Sequence, residues 1–328
     1  MRNMEAVRET GAERPTRREA YLKSFDAQWR EIHEGTMPEA GLKVLGRPER
    51  KEVCEDVALK STAHGLFLVA DGLSTAGGWL ASRETARVMY EALGETLDRG
   101  IRNLIDKHQC GSECLRQVSV YVASQMAAAV EQADSRLKTL SPGRDVKTTL
   151  SLAKLVTLPT PEGTTHRMFF ANVGDSRIYV QQGRGQMRLV TRDDSMLEWH
   201  VGRGELTSVQ AREIDQAQDP RRIPLELREY ARDRVAVTKA VGGGRAAEDL
   251  PVSFIDLEPN DRLVLVSDGV SNQLFEHEMQ SELDERRADD DNAQEAALAH
   301  AAMERSMQGT HPRAKADDIA VVVHTISG

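Results

Sequence analysis

Apolar residues recur along this chain with two different periods. Within 18–32 they stand at Tyr21, Leu22, Phe25, Trp29 and Ile32, one face of a helix. Residues 79–99 place Leu80, Val88, Leu93 and Leu97 near helical spacing, and 115–140 repeats the behaviour with Leu115, Val118, Val122, Met126, Val130, Ala133 and Leu137. Two long amphipathic helices are predicted there. Strand-like runs alternate or stay apolar over shorter lengths: EDVALKS, HGLFLVADG, TTLSLAKLV, RMFFANVG, DSRIYVQQ and QMRLVT, with QGRGQ as the turn of a hairpin. Residues 192–237 are charged and irregular, with short helical stretches at 208–216 and 225–234. Beyond them come VSFIDL, DRLVLVSDG, a helix over 275–287, the acidic loop ADDDN, an alanine-rich helix over 293–307 and the strand IAVVVHTI. Runs of strands and runs of helices, joined by short turns, predict an α+β fold with antiparallel pairing.

Composition narrows the function classes. Among 328 residues, 43 lysines and arginines against 52 aspartates and glutamates leave a net charge of −9, which disfavours a general nucleic-acid binder. Three cysteines cannot complete a disulfide framework, so a reducing compartment, the cytoplasm, is expected. No apolar run reaches the roughly 18 residues that span a bilayer, and MRNMEAVRETGAERPTRREA carries no apolar leader core, so no membrane partner is expected. Residues 1–41 read as a polar arm followed by the amphipathic helix, which packs on the protein's own core or docks a partner. Residues 42–328 read as the main domain.

The chemistry lies in a recurrence. LFLVADG at 66–72 and LVLVSDG at 263–269 are nearly the same heptapeptide, an apolar strand ending in an aspartate and a glycine. The carboxylate stands at the strand's mouth, and the glycine allows a sharp turn that exposes a backbone carbonyl. Glu55-Asp56 opens one strand and Asp317-Asp318 opens the last. If these strand ends meet, the carboxylates repel unless divalent cations are present, and all-oxygen donors select magnesium or manganese over zinc. Nucleophilic catalysis has weaker candidates. Ser74, Ser176 and Ser195 have no evident histidine partner, the thiolate of Cys54 is disfavoured beside Glu55 and Asp56, and Cys110 and Cys114 read as packing residues.

EDVAL, FLVADGLSTAGGWLAS, TTLSLAKL, FANVGDSRIYV, TRDDSM, TKAVGGG, DRLVLVSDGV and DDIAVVV occur in the order of the metal-dependent serine/threonine protein phosphatases of type 2C, which the chain resembles over about residues 42–326. The resemblance implies an α-β-β-α sandwich, two antiparallel sheets face to face with helices outside, and two Mn2+ or Mg2+ ions in a cleft at one edge. It implies hydrolysis of phosphoserine and phosphothreonine by a metal-activated water, with Asp56, Asp71 and Asp268 central to catalysis. Asp71 would bridge the metals, Gly72 would ligate through its carbonyl, and Asp268 and Asp317 would hold the second ion. Glu55 and Asp56 would act mainly through water, and Asp175 resembles the acidic residue at which some members take a third ion. Asp317 matches the ligand position better than Asp318, which stands where the family usually has asparagine. Phosphoprotein substrates, a kinase or its targets, and a role in signalling are the partners implied.

Four positions depart from the pattern, one of them Lys147 in place of the usual glycine before TTL. Lys51, with Arg50 adjacent, stands where the family has a phosphate-binding arginine, and lysine lacks the bidentate fork. Leu73 follows DG where some relatives have histidine, and Asp194 replaces the histidine of the T-x-D-H-S motif. About residues 192–237 correspond to a flap beside the cleft, in which DPRRIPLELREYARDR looks inserted. The alternative reading is a catalytically weak or silent phosphatase-fold protein with a binding or regulatory role.

Overall fold

In the strand Leu66–Ala70, Phe67 and Val69 turn to one side and Leu66, Leu68 and Ala70 to the other, and all five are buried. A strand covered on both faces needs a second layer on each side, and the computed structural model supplies a sheet on one and helices on the other. It describes residues 54–73, 77–108, 111–140, 143, 145–160, 163–217, 219–308, 311, 313 and 317–327. The expected N-terminal arm and helix, together with Arg50 and Lys51, lie outside the described residues, as do Ser74 and Cys110.

The first sheet contains β1 (Val57–Ser61), β2 (Leu66–Ala70), β3 (Leu150–Thr160), β4 (Gly163–Val173) and β7 (Ser253–Leu257), in the order β1-β2-β3-β4-β7. The second contains β5 (Arg177–Gln181), β6 (Met187–Leu189), β8 (Arg262–Val266) and β9 (Val321–Thr325), in the order β6-β5-β8-β9. Every pairing is antiparallel, with Val69 opposite Ser151 and Val266 opposite both Arg177 and Val321. Phe67, Val69, Ala153 and Met168 of the first sheet share one core with Ile178, Val180, Leu263, Leu265 and Val322 of the second. On the second sheet's outer face, Tyr179, Val264, Val266, Val321 and Val323 pack on Met279, Leu283, Leu298 and Ala302. The period-two alternation thus places one half of each strand between the sheets and the other half under helices.

The helices are α1 (Gly78–Leu93), α2 (Glu95–His108), α3 (Ser112–Leu140), α4 (Met196–Gly202), α5 (Ser208–Asp215), α6 (Asp268–Ser271), α7 (Glu276–Glu285) and α8 (Asp291–Met307). The first expected helix, over 79–99, is two. At Gly94 ψ falls to −126°, its N–H still bonds the Tyr90 carbonyl, and its own carbonyl accepts Asp98, so the chain turns a corner between α1 and α2. The stretch 225–234 is likewise not one helix but two 3-10 turns, Leu225–Leu227 and Tyr230–Val235, the first preceded by Pro224. Among the described residues no helix is long and apolar enough to cross a membrane.

Where β1, β9 and α8 meet, the Lys60 ammonium donates to the Val323 carbonyl at 2.8 Å and to Glu295 Oε1 at 3.2 Å, with Asp291 at 3.3 Å. Glu295 Oε2 has no donor, and burial pushes this carboxyl up to about 7 despite Lys60. The folded state therefore holds a proton more tightly than the unfolded chain, and this contribution to stability is lost as pH rises from about 4.5 to 7. Denaturant unfolding at pH 5 and pH 8 should show a smaller loss on going to pH 8 for Glu295→Gln than for wild type, by about 2 kcal/mol. Equal losses in the two proteins would contradict it.

Candidate metal centre

The centre is built from strand ends. Asp56 immediately precedes β1, Asp71 follows β2, Asp268 follows β8, and Asp317 and Asp318 lead towards β9, so one end of each sheet contributes to it. Asp175, in the turn between β4 and β5, joins them. The charges of Asp56, Asp175 and Asp268 all act on Asp71, and those of Asp268 and Asp318 act on Asp56. Glu55 is adjacent, its N–H donating to Asp318 Oδ2 at 2.8 Å.

Backbone contacts hold the bearers of these groups. The Asp71 N–H donates to Thr149 Oγ1 at 3.1 Å, while its carbonyl accepts Thr149 N–H and Thr148 Oγ1, each at 2.8 Å. Thr149 Oγ1 also bonds Ser176 at 2.7 Å, beside Asp175. Asp194 grips the β4–β5 turn, its N–H donating to the Gly174 carbonyl at 2.8 Å and its Oδ2 accepting the Gly174 N–H at 3.1 Å. The Ala320 N–H donates to Ser267 Oγ at 2.9 Å and the Ser267 N–H to the Ala320 carbonyl at 3.0 Å, which sets Asp268 beside the start of β9. These positioning residues were visible in the sequence only as members of the TTLSLAKL, TRDDSM and VSDG motifs.

The two DG glycines answer to close packing. Neither Gly72 nor Gly269 has positive φ. A Cβ on Gly72 would meet the Gly78 backbone and come within 2.8 Å of the Glu55 carbonyl, and one on Gly269 would enter the Asp318 carbonyl.

Electrostatics shows what the cluster lacks. Asp56 is 1% exposed and neither of its carboxylate oxygens has a hydrogen-bond donor. Burial pushes it up to about 8, opposed by the nearby Asp71 and Ser267 side chains and reinforced by the charges of Asp318 and Asp268. Burial and then Asp268 and Asp193 push Asp175 up to about 8, and burial with Asp56, Asp268 and Asp175 holds Asp71 well above the usual range. Buried, donor-poor carboxylates with mutual repulsion fit hard divalent cations, and Asp56, Asp71, Asp175 and Asp268 surround the place such ions would take. Among the described residues, no three of these carboxylates bring ligand oxygens within 4.8 Å of one another. Ions that keep waters in their shell accommodate such spacing better than a cage closed by side chains.

A separate set, His64, Glu95 and Asp98, does meet that spacing. Asp98 already accepts His64 Nδ1 at 2.7 Å and the Lys154 ammonium at 2.5 Å, and Glu95 pairs with Arg102 at 2.8 Å, so this is an ion-pair cluster.

The pair 317–318 divides. Asp318 is 2% exposed and engaged by the Glu55 N–H, a task an asparagine carbonyl could equally perform, whereas Asp317 is half-buried and its Oδ1 accepts the Asp318 N–H at 3.2 Å. The alternative nucleophiles are engaged elsewhere. Ser195 caps α4 by accepting the Glu198 N–H, Cys114 is buried, and burial with Asp56 and Asp318 pushes the Cys54 thiol up.

Residues 196–235 fold as α4, α5 and 3-10 turns around Leu197, Leu206, Ala211, Ile214, Ile223 and Leu227. A cavity of about 500 Å³ lies between this segment and the second sheet, lined by Arg177, Asp193, Asp215 and Arg234 among others, and not by Asp56, Asp71 or Asp268.

The model of the family described as protein phosphatase 2C matches residues 47–301. The chain belongs to the protein phosphatase 2C family. Solved structures agree on the fold. The serine/threonine phosphatase Stp1 from Staphylococcus aureus superposes with a TM-score of 0.60 at 20% identity, covering 90% of this chain and 98% of that one. The PPM Ser-Thr phosphatase MsPP from Mycobacterium smegmatis, in complex with cacodylate, gives 0.56 at 22% identity, covering 87% and 97%. The catalytic domain of the phosphatase PstP, in complex with 2 manganese ions, gives 0.54 at 17% identity, covering 85% and 94%. No curated protein matches the chain in sequence. The α+β architecture of two antiparallel sheets flanked by helices is the one these phosphatases share, and membership of the family supports protein phosphatase activity.

Proposed function

We propose that this phosphatase removes phosphate from serine and threonine side chains of proteins, at a centre of two Mn2+ or Mg2+ ions held by Asp71, Asp268, Asp317 and the Gly72 carbonyl. Glu55 and Asp56 act there mainly through water, and Asp175 serves a third ion. One observation carries the proposal: Asp56 sits buried with two donorless oxygens among the charges of Asp318 and Asp268, an arrangement that divalent cations would relieve. The manganese complex of PstP, a family relative, supports the choice of metal. When bound, two such ions supply an activated water at neutral pH and offset the charge of a phosphate monoester.

The protein's own part is alignment. Thr148 and Thr149 hold the Asp71 backbone, Asp194 holds the turn carrying Asp175, and Ser267 sets Asp268 against the start of β9. Lys51, or Arg50 beside it, binds substrate phosphate in this reading, and segment 192–237 is the flap that selects the phosphoprotein. The substrate is then the product of a protein kinase, in a cytoplasmic signalling exchange.

Hydrolysis of p-nitrophenyl phosphate and of phosphoserine and phosphothreonine peptides, with Mn2+, Mg2+ or EDTA, tests it. EDTA should abolish turnover and either ion should restore it. Full activity in a demonstrably metal-free sample would end the proposal. Mn2+ binding by calorimetry without hydrolysis of any of these substrates would instead establish the silent binding protein.

A further inference from the structure

Asp268 is held through a side-chain relay. Its Oδ2 accepts the side-chain N–H of Asn272 at 2.8 Å, one helical turn on, and the Asn272 Oδ1 accepts the Arg234 guanidinium at 2.7 Å. An amide caught between a carboxylate and a guanidinium has one orientation, nitrogen toward the anion and oxygen toward the cation. Arg234 belongs to the 3-10 turn Tyr230–Val235, within the stretch whose motif pattern looks inserted. Its side chain is 19% exposed and has Asp215, at the end of α5, 4.0 Å away. Arg313 braces the same junction. Its guanidinium donates to the Ser271 and Asn272 carbonyls and to the Asp215 carbonyl, each at 2.9 Å, and stacks 4.3 Å from the Phe275 ring.

We propose that Arg234 is a positioning residue for the metal centre: through Asn272 it fixes the rotamer of Asp268, so that segment 192–237 completes the site it borders. This rests on reading Asp268 as a metal ligand. Charge alone predicts the opposite consequence. A guanidinium near a cation site repels the cation, so its removal should tighten metal binding. Partners that orient a ligand act the other way, typically by tenfold to a hundredfold in metal affinity or activity. The sign of the change therefore separates a positioning role from a bystander charge.

The test is calorimetric titration of the full chain with Mn2+, beside kcat and KM for a phosphoserine peptide, in wild type, Arg234→Met, Arg234→Lys, Asn272→Ala and the Arg234→Met/Asn272→Ala double variant. Arg234→Met should bind Mn2+ about tenfold more weakly, with kcat reduced and KM little changed, and Arg234→Lys should recover part of the loss. Asn272→Ala should lose at least as much, and the double variant no more than Asn272→Ala, because the two act in series. Unchanged or tighter Mn2+ binding in folded Arg234→Met overturns the inference, as do strictly additive losses. A rise in KM alone overturns it too, by making Arg234 a substrate contact. Should Arg234→Met fail to fold by circular dichroism, Asn272→Ala decides, and wild-type Mn2+ affinity there is equally fatal. A wild type that binds no Mn2+ removes the ligand assignment itself and the inference with it, a failure recognisable before any variant is made.

Discussion

Asp71→Asn is expected to lower kcat on a phosphopeptide by about a thousandfold, a loss of about 4 kcal/mol in transition-state stabilisation, while making the metal-free protein lose less stability as pH rises. Both halves follow from the same crowding. Burial and the charges of Asp56, Asp268 and Asp175 hold the Asp71 carboxyl well above its usual range, so the folded state takes up a proton there that the unfolded chain does not. A raised folded-state pKa contributes stability that disappears as pH rises through it, and without metal the site carries that repulsion once the carboxyl ionises. Asparagine removes the charge and keeps the shape. The Thr148 and Thr149 bonds go to the Asp71 backbone and survive the change. The measurements are steady-state turnover with Mn2+ and thermal unfolding in EDTA over a series of rising pH values. Wild-type turnover would remove Asp71 from the site, and a melting temperature that falls with pH as steeply as in wild type would show that the carboxylate is not strained.

Gly269→Ala should be the most damaging single-methyl change at the centre. A Cβ there would enter the backbone carbonyl of Asp318, and neither partner is free to retreat. The Gly269 side is pinned because Val270 and Ser271 are buried and Ser267 is bonded twice to Ala320. The Asp318 side is pinned because its carboxylate accepts the Glu55 N–H. Overpacking against backbone costs about 3 kcal/mol, and here the displacement would also separate Asp268 from the start of β9. Equilibrium unfolding and Mn2+-dependent turnover should fall together. Gly202→Ala is the control, since an added Cβ there meets nothing within 4 Å, and its stability should stay within about 0.5 kcal/mol of wild type. Equal behaviour of the two variants would show that the α6 turn yields more easily than its contacts suggest.

Period alone determined much of this protein. Phe67 and Val69 against Leu66 and Leu68, or Leu263 and Leu265 against Val264 and Val266, assign faces because a strand sends successive side chains to opposite sides whatever its neighbours are. The repeated strand-Asp-Gly pattern and the acidic pairs before two strands likewise marked the carboxylates, because a residue at a strand's end lies beside the core and near solvent at once. Local sequence also carried wrong boundaries. The spacing over 79–99 continues through Gly94 although the backbone does not, since periodicity records which face is buried and is blind to a change of axis.

What only the tertiary structure decided is adjacency. That Asp56, Asp71, Asp175 and Asp268 share one place depends on the orders β1-β2-β3-β4-β7 and β6-β5-β8-β9 and on the sheets packing through Phe67, Val69, Ile178 and Leu265. No spacing along the chain encodes that. The tasks of Asp318 under Glu55, of Thr148 and Thr149 on the Asp71 backbone, and of Arg234 on Asn272 belong to the same class. Each is a hydrogen bond between residues distant in sequence, whose partners only the fold brings together. Side-chain chemistry is a property of the residue and could be read directly, whereas charge repulsion, a missing donor or a collision with a carbonyl is a property of distance, and distance is set by the fold.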